Sequence, residues 1–185
     1  MLKIINYIFL VMGFAALVIK PVFAIDVLEL NGKKFTYQLS SNKTHSFMPS
    51  NQKSNPEWKE KISIIYAPDV QNETGLESLA SKLHHSYKNK GRVLKALKTD
   101  AEENNPSKFL LVTVMKGNDS VEAILTRMSL EDNLGTIFVY AHRFYGEEKS
   151  DELMAWFEKN GFRMEKEILE FKSIPSKTVF AESDE

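Results

Sequence analysis

The chain is 185 residues long, carries a formal net charge of −1, and is 43% hydrophobic and 26% charged, with no cysteine. The missing thiols exclude a cysteine nucleophile, a cysteine-ligated metal, a disulfide framework and a lipid-anchored cysteine. The balanced charge leaves no basic stripe of the kind nucleic acid demands, and a chain of this size buries about 70% of its unfolded surface, enough for one self-sufficient core.

The N-terminus has the three parts of a secretory leader. Lys3 supplies the positive charge, residues 7–19 are almost wholly apolar, and Val22-Phe23-Ala24 ends in the small residue a signal peptidase requires. Cleavage is predicted after Ala24. The apolar run falls short of the roughly 20 residues that span a bilayer, and Lys20-Pro21 closes it; an uncleaved anchor is the competing reading. The expected organisation is a signal peptide over 1–24, a single α+β domain over 25–172 and a disordered acidic tail over 173–185. This predicts a periplasmic or secreted protein with no membrane span after cleavage.

Residues 25–57 are loosely patterned. Leu28 and Leu30 precede Asn31-Gly32, and Phe35 to Leu39 alternate, which predicts a hairpin. Residues 40–56 are rich in Ser, Asn, Lys and Pro and read as a surface loop. Residues 58–67 read as a strand, with Ile62, Ile64 and Tyr66 on one side and Pro68 as its stop. Thr74-Gly75-Leu76-Glu77 fits a capping box, and Leu76, Leu79, Ala80, Leu83 and Tyr87 recur at helical spacing up to Gly91, expected as a left-handed stop.

A meander follows. Strands are predicted over 92–99, 108–116, 121–130 and 134–143, joined by short polar turns that make neighbours antiparallel. In the middle strands both alternating sets are apolar: Phe109 and Leu111 against Leu110 and Val112, and Phe138 and Tyr140 against Ile137 and Val139. A sheet wet on one face would alternate apolar with polar. The expected fold is therefore a central antiparallel β-sheet of five or six strands covered by helices on both faces. The second cover is expected from Leu153, Met154, Trp156 and Phe157, in a helix that ends or kinks at Asn160-Gly161, followed by a second piece holding Phe162, Ile168, Leu169 and Phe171.

This order of elements, carried by residues 35–39, 62–68, 76–87 and 109–157, resembles the PsbP extrinsic proteins and the periplasmic DcrB-like proteins. The resemblance implies an antiparallel sheet sandwiched between helices and an accessory, non-catalytic role. DcrB-like proteins are typically lipid-anchored, and the missing cysteine departs from that pattern. The stretch Tyr140-Ala141-His142-Arg143-Phe144-Tyr145-Gly146 is similar to uncharacterised exported proteins of Gram-negative bacteria.

The candidate ligand-binding residues are His142, Arg143, Tyr145 and Trp58. The first three lie where a central strand is expected to give way to a helix, whose free N–H groups and the Arg143 fork suit an anion. The plainer reading makes His142 and Tyr145 rim residues and pairs Arg143 with Glu147 or Glu148. Trp58, flanked by Pro56, Glu57 and Lys59, is a candidate exposed aromatic; core packing is its alternative. Lys88, Lys90 and Arg92 read as cations complementing a helix C-terminus. His84-His85 are adjacent on a helix and do not share a face, so no metal site is assigned. Asn42, Asn72 and Asn118 begin glycosylation-type tripeptides that matter only in a eukaryotic source. There is no Gly-x-Ser-x-Gly elbow, no His-Glu-x-x-His and no phosphate-binding glycine loop, so no catalytic residue and no cofactor is assigned. The sequence favours an exported accessory or binding domain whose partner is an envelope or extracellular protein or a small ligand. An exported hydrolase with a site near His142, Arg143 and Tyr145, or a secreted effector acting on a host, are the alternatives.

Overall fold

Asn31 and Gly32 both take positive φ, 53° and 71°, so Leu30 pairs directly with Lys33 and the first two strands close as the predicted hairpin. These are β1 (Val27–Leu30) and β2 (Lys33–Gln38). The computed structural model describes residues 27–38, 44–52, 57–101, 106–177 and 180. The predicted leader and Ala24 lie outside the described residues.

The chain continues as β3 (Thr44–Pro49), β4 (Glu60–Ala67), α1 (Glu73–Lys90), β5 (Gly91–Lys98), β6 (Phe109–Lys116), β7 (Ser120–Glu131), β8 (Leu134–Tyr145) and α2 (Lys149–Glu170). Among the described residues the eight strands form one antiparallel sheet in the order β1-β2-β3-β4-β8-β7-β6-β5. The chain lays down four strands, crosses through α1 to the far edge, and returns strand by strand until β8 meets β4. That seam matches Ile62 with Tyr140 and Ile64 with Phe138.

The expectation of five or six strands covered by helices on both faces is corrected: among the described residues there is one eight-stranded sheet with two α-helices, which are not arranged on both faces of a five- or six-stranded sheet. The principal contacts of α1 are with β5, β6 and β7, and those of α2 are with β7 and β8. Leu76 and Ala80 of α1 pack with Leu111, Met128 and Ile137. Met164 and Ile168 of α2 join Leu110, Val112, Leu125, Phe138 and Tyr140. Strands β1 to β3 enter that second cluster through Leu28, Leu30, Phe35 and Phe47. Each such side chain contributes about 1.5–3 kcal/mol by leaving water, so the extra strands supply much of the core.

Four local expectations are also corrected. The predicted loop over 40–56 contains β3, in which His45, Phe47 and Pro49 are buried in alternation; Pro49 is tolerated because it ends the strand. The cap of α1 is Asn72, whose side chain accepts from the Gly75 N–H at 2.9 Å, in place of Thr74. Gly91 stops α1 in an extended conformation; its lack of a side chain serves a close approach, because a Cβ there would lie 2.4 Å from the Val114 carbonyl oxygen. Asn160-Gly161 neither ends nor interrupts α2, which runs unbroken for 22 residues with Gly161 buried.

Of the segment predicted as a tail, residues 173–177 and 180 are described. The Tyr66 hydroxyl donates to the Pro175 carbonyl at 2.5 Å. Phe180 is 4% exposed and stacks on His45 with ring centres 3.8 Å apart. Residues 178, 179 and 181–185 lie outside the described residues.

Candidate functional site

β8 runs through Tyr145 and α2 begins at Lys149, so His142, Arg143 and Tyr145 are residues at the end of the strand and the helix N-terminus lies beyond them. His142 and Arg143 are successive strand residues and therefore point to opposite faces. They build two separate polar clusters at this end of the sheet.

On the first face, β4 presents Glu60 opposite His142. Glu60 is 8% exposed. Its carboxylate accepts from the Tyr140 hydroxyl at 2.9 Å and from the Lys33 ammonium, and lies 3.6 Å from His142 Nδ1. Burial alone would raise the Glu60 pKa, but the hydrogen bonds from His142, Lys33 and Tyr140 outweigh it and hold the group at about 2. Burial, followed by the neighbouring Glu60 charge, pushes the Tyr140 phenol well above its usual value. The His142 ring stacks on Phe144 at 4.5 Å and leans on Trp156 at 5.1 Å. At neutral pH the cluster holds an ionised carboxylate and a protonated phenol locked onto each other, with a lysine taking the second oxygen.

On the second face, the Arg143 guanidinium lies 3.8 Å from the centre of the Trp58 ring. Its Nε donates to Glu122 at 2.7 Å and its Nη1 to the Tyr145 hydroxyl at 3.3 Å. Tyr145 in turn donates to the Trp58 carbonyl at 3.1 Å. Trp58, considered as an exposed aromatic, is 8% exposed and forms a small core with Ile124 and Ala141. Lys61 lies over the same ring; burial pulls its ammonium below its usual pKa, Glu122 opposes this, and Arg143 adds to it. Arg143 pairs with Glu122 on the neighbouring strand, and not with Glu147 or Glu148.

Three of the four predicted site residues thus come together, and His142 stands apart from them. Each of the four is held by neighbours within the protein. Reasoning from sequence missed Glu60, Lys33 and Glu122, which the strand pairing supplies. It also missed Arg127, whose side chain is 1% exposed and donates to the carbonyls of Ile168 at 3.0 Å and Phe171 at 2.6 Å, with Glu131 at 2.8 Å. A lone arginine inside the apolar run 123–128 was the available signal, because an unpartnered buried charge is so costly.

The side chains left without such partners lie elsewhere. A cavity of 460 Å³ opens between β5, the ends of β6 and β7, and the first turns of α2. Lys90, Arg92 and Lys116 line it together with Leu94, Leu153 and Met154. Lys90 and Arg92, read from sequence as complements to a helix end, therefore also line an opening. A second cavity of 610 Å³ lies against the C-terminal segment, where Glu131 and Asp132 face Lys172 and Lys177. A third, of 320 Å³, lies under α1 and includes His84. His84 is half-buried and His85 exposed. Among the described residues no helix is long and apolar enough to cross a membrane.

No family model matches the chain, and no curated protein matches it. Among solved structures it is similar to PA94 from Pseudomonas aeruginosa, a protein of unknown function, at 10% identity and a TM-score of 0.47 over 81% of this chain and 97% of that one.

Proposed function

We propose that this chain is an exported binding domain without covalent chemistry of its own, and that it takes its ligand in the groove between β5 and α2. Export rests on the leader read in residues 1–24. Binding rests on one contrast. The polar groups around His142, Arg143 and Tyr145 are spent on one another, whereas Lys90, Arg92 and Lys116 make no ion pair or side-chain hydrogen bond among the described residues. The same cavity is lined by Leu94, 46% exposed, and Met154, 55% exposed. An apolar concavity with a few convergent polar groups is the usual form of a small-molecule site.

Native mass spectrometry of the protein purified from its own cells tests the reading. A discrete non-protein adduct is expected on the wild type and is expected to be lost in Leu94→Glu and Met154→Glu. Both side chains are exposed, so these variants keep the fold. An adduct that survives both variants, or none at all, contradicts the groove as the site.

A further inference from the structure

We infer that the ligand of this groove is a single-chain fatty acid, its carboxylate held by Arg92, Lys90 and Lys116 and its alkyl chain laid under the start of α2. The inference rests on the binding reading above and adds the ligand's chemistry.

The charge argument comes first. No carboxylate lines the cavity. Other cations of the same edge strand are already taken: Lys95 by Glu165 of α2 at 2.5 Å and Lys98 by Glu77 of α1 at 2.6 Å. Glu122, next in sequence to the lining residue Val121, is held by Arg143 at 2.5 Å. Three cations gathered with no internal acid repel one another, and an incoming anion relieves that repulsion. Arg92 offers the planar fork that matches a carboxylate bidentately.

The apolar argument excludes a bare anion. Val121 and Leu153 of the lining belong to the core cluster that continues through Ala123 and Phe144 to Trp156. The floor is thus one edge of the hydrophobic core. Leu94 and Met154 are exposed and line the same cavity, at the bulge of β5 between Val93 and Lys95 and on the first turns of α2. Covering apolar surface with an alkyl chain removes it from water, a gain that inorganic phosphate cannot supply. The 460 Å³ of space sits in the ordinary range for a small ligand.

The test is displacement of a dansyl-labelled fatty acid from the purified protein. Laurate is expected to displace it, lauryl alcohol to do so at least about tenfold less well, and inorganic phosphate not at all. Arg92→Gln with Lys116→Gln is expected to bring laurate down to the alcohol's level, and Met154→Glu to abolish probe binding. Equal competition by laurate and lauryl alcohol, or an unchanged laurate affinity in the double glutamine variant, overturns the inference. So does a lysophospholipid that displaces the probe better than laurate. If laurate fails while native mass spectrometry still finds an adduct lost in Leu94→Glu, the ligand class is wrong and the binding site stands. If neither is seen, both fail.

Discussion

Arg143 and Trp58 satisfy each other across the β4–β8 seam: the guanidinium carbon sits 3.8 Å from the ring centre, and the Arg143 N–H donates to the Lys59 carbonyl at 2.8 Å. Both are candidate ligand-binding residues by sequence, and each is held by the other. A desolvated cation–π pair is worth about 1–2 kcal/mol. Arg143→Lys keeps the charge and loses the planar stack and the fork to Glu122, so urea denaturation should show a loss of about 1–2 kcal/mol. A double-mutant cycle with Trp58→Leu should return a coupling of about 1 kcal/mol. Coupling near zero would mean that the ring and the cation do not stabilise one another.

Arg127 fastens the end of α2 to the sheet. Three carbonyls at the helix C-terminus, those of Ile168, Leu169 and Phe171, lie within its reach, and Lys108 adds a bond to Leu169 at 3.1 Å. Arg127→Met fills the space but removes the Arg127 donor from the Ile168 and Phe171 carbonyls, while Leu169 keeps Lys108. The expected cost is about 3 kcal/mol, read from the urea midpoint, with faster amide exchange confined to the last turn of α2. Uniform exchange along the helix would contradict a local fastening.

Glu60 makes the protein acid-sensitive. Its pKa falls from the usual 4.5 to about 2 in the folded protein, so the unfolded chain binds its proton first. The stabilisation is fully present above about 4.5 and is lost as the pH drops from there toward 2. Glu60→Gln should lower stability at pH 7 by about 1–3 kcal/mol and flatten the wild-type decline between pH 5 and 2. Parallel wild-type and variant curves across that window would sink the assignment.

Phe180 is a core residue at the end of a segment whose composition reads as a tail. It packs on Tyr37, His45, Phe47 and Tyr66. Phe180→Ala should cost about 3 kcal/mol, within the usual range for a buried phenylalanine, and expose His45 to solvent. A change below about 0.5 kcal/mol would place Phe180 outside the core.

What was legible in the sequence followed from local pattern. The α1 stripe from Leu76 to Tyr87 reads plainly because one face alone is apolar. The Asn31-Gly32 hairpin reads because positive φ at both positions has a residue signature. Strand β3 was hidden because His45, Phe47 and Pro49 alternate within a stretch dominated by polar residues. Asn160-Gly161 looked like a stop because those residue types end helices, yet Met164 and Ile168 bury beyond it and carry the helix on. Pairing of β4 with β8 joins residues about 80 positions apart, and no spacing rule encodes it. That pairing puts Glu60 beside Tyr140 and His142, so the polar clusters were out of reach until the topology was known. The groove was hidden for the same reason: Arg92 and Leu153 line one cavity only once β5 and α2 are placed by the fold.

The most direct test of the account is a set of NMR distances between bound laurate and methyl-labelled protein. The account predicts contacts from the alkyl chain to Met154, Leu94 and Leu153, with the carboxyl end nearest Arg92. Contacts gathered instead at Leu134 and Ile174, in the cavity against the C-terminal segment, would contradict it.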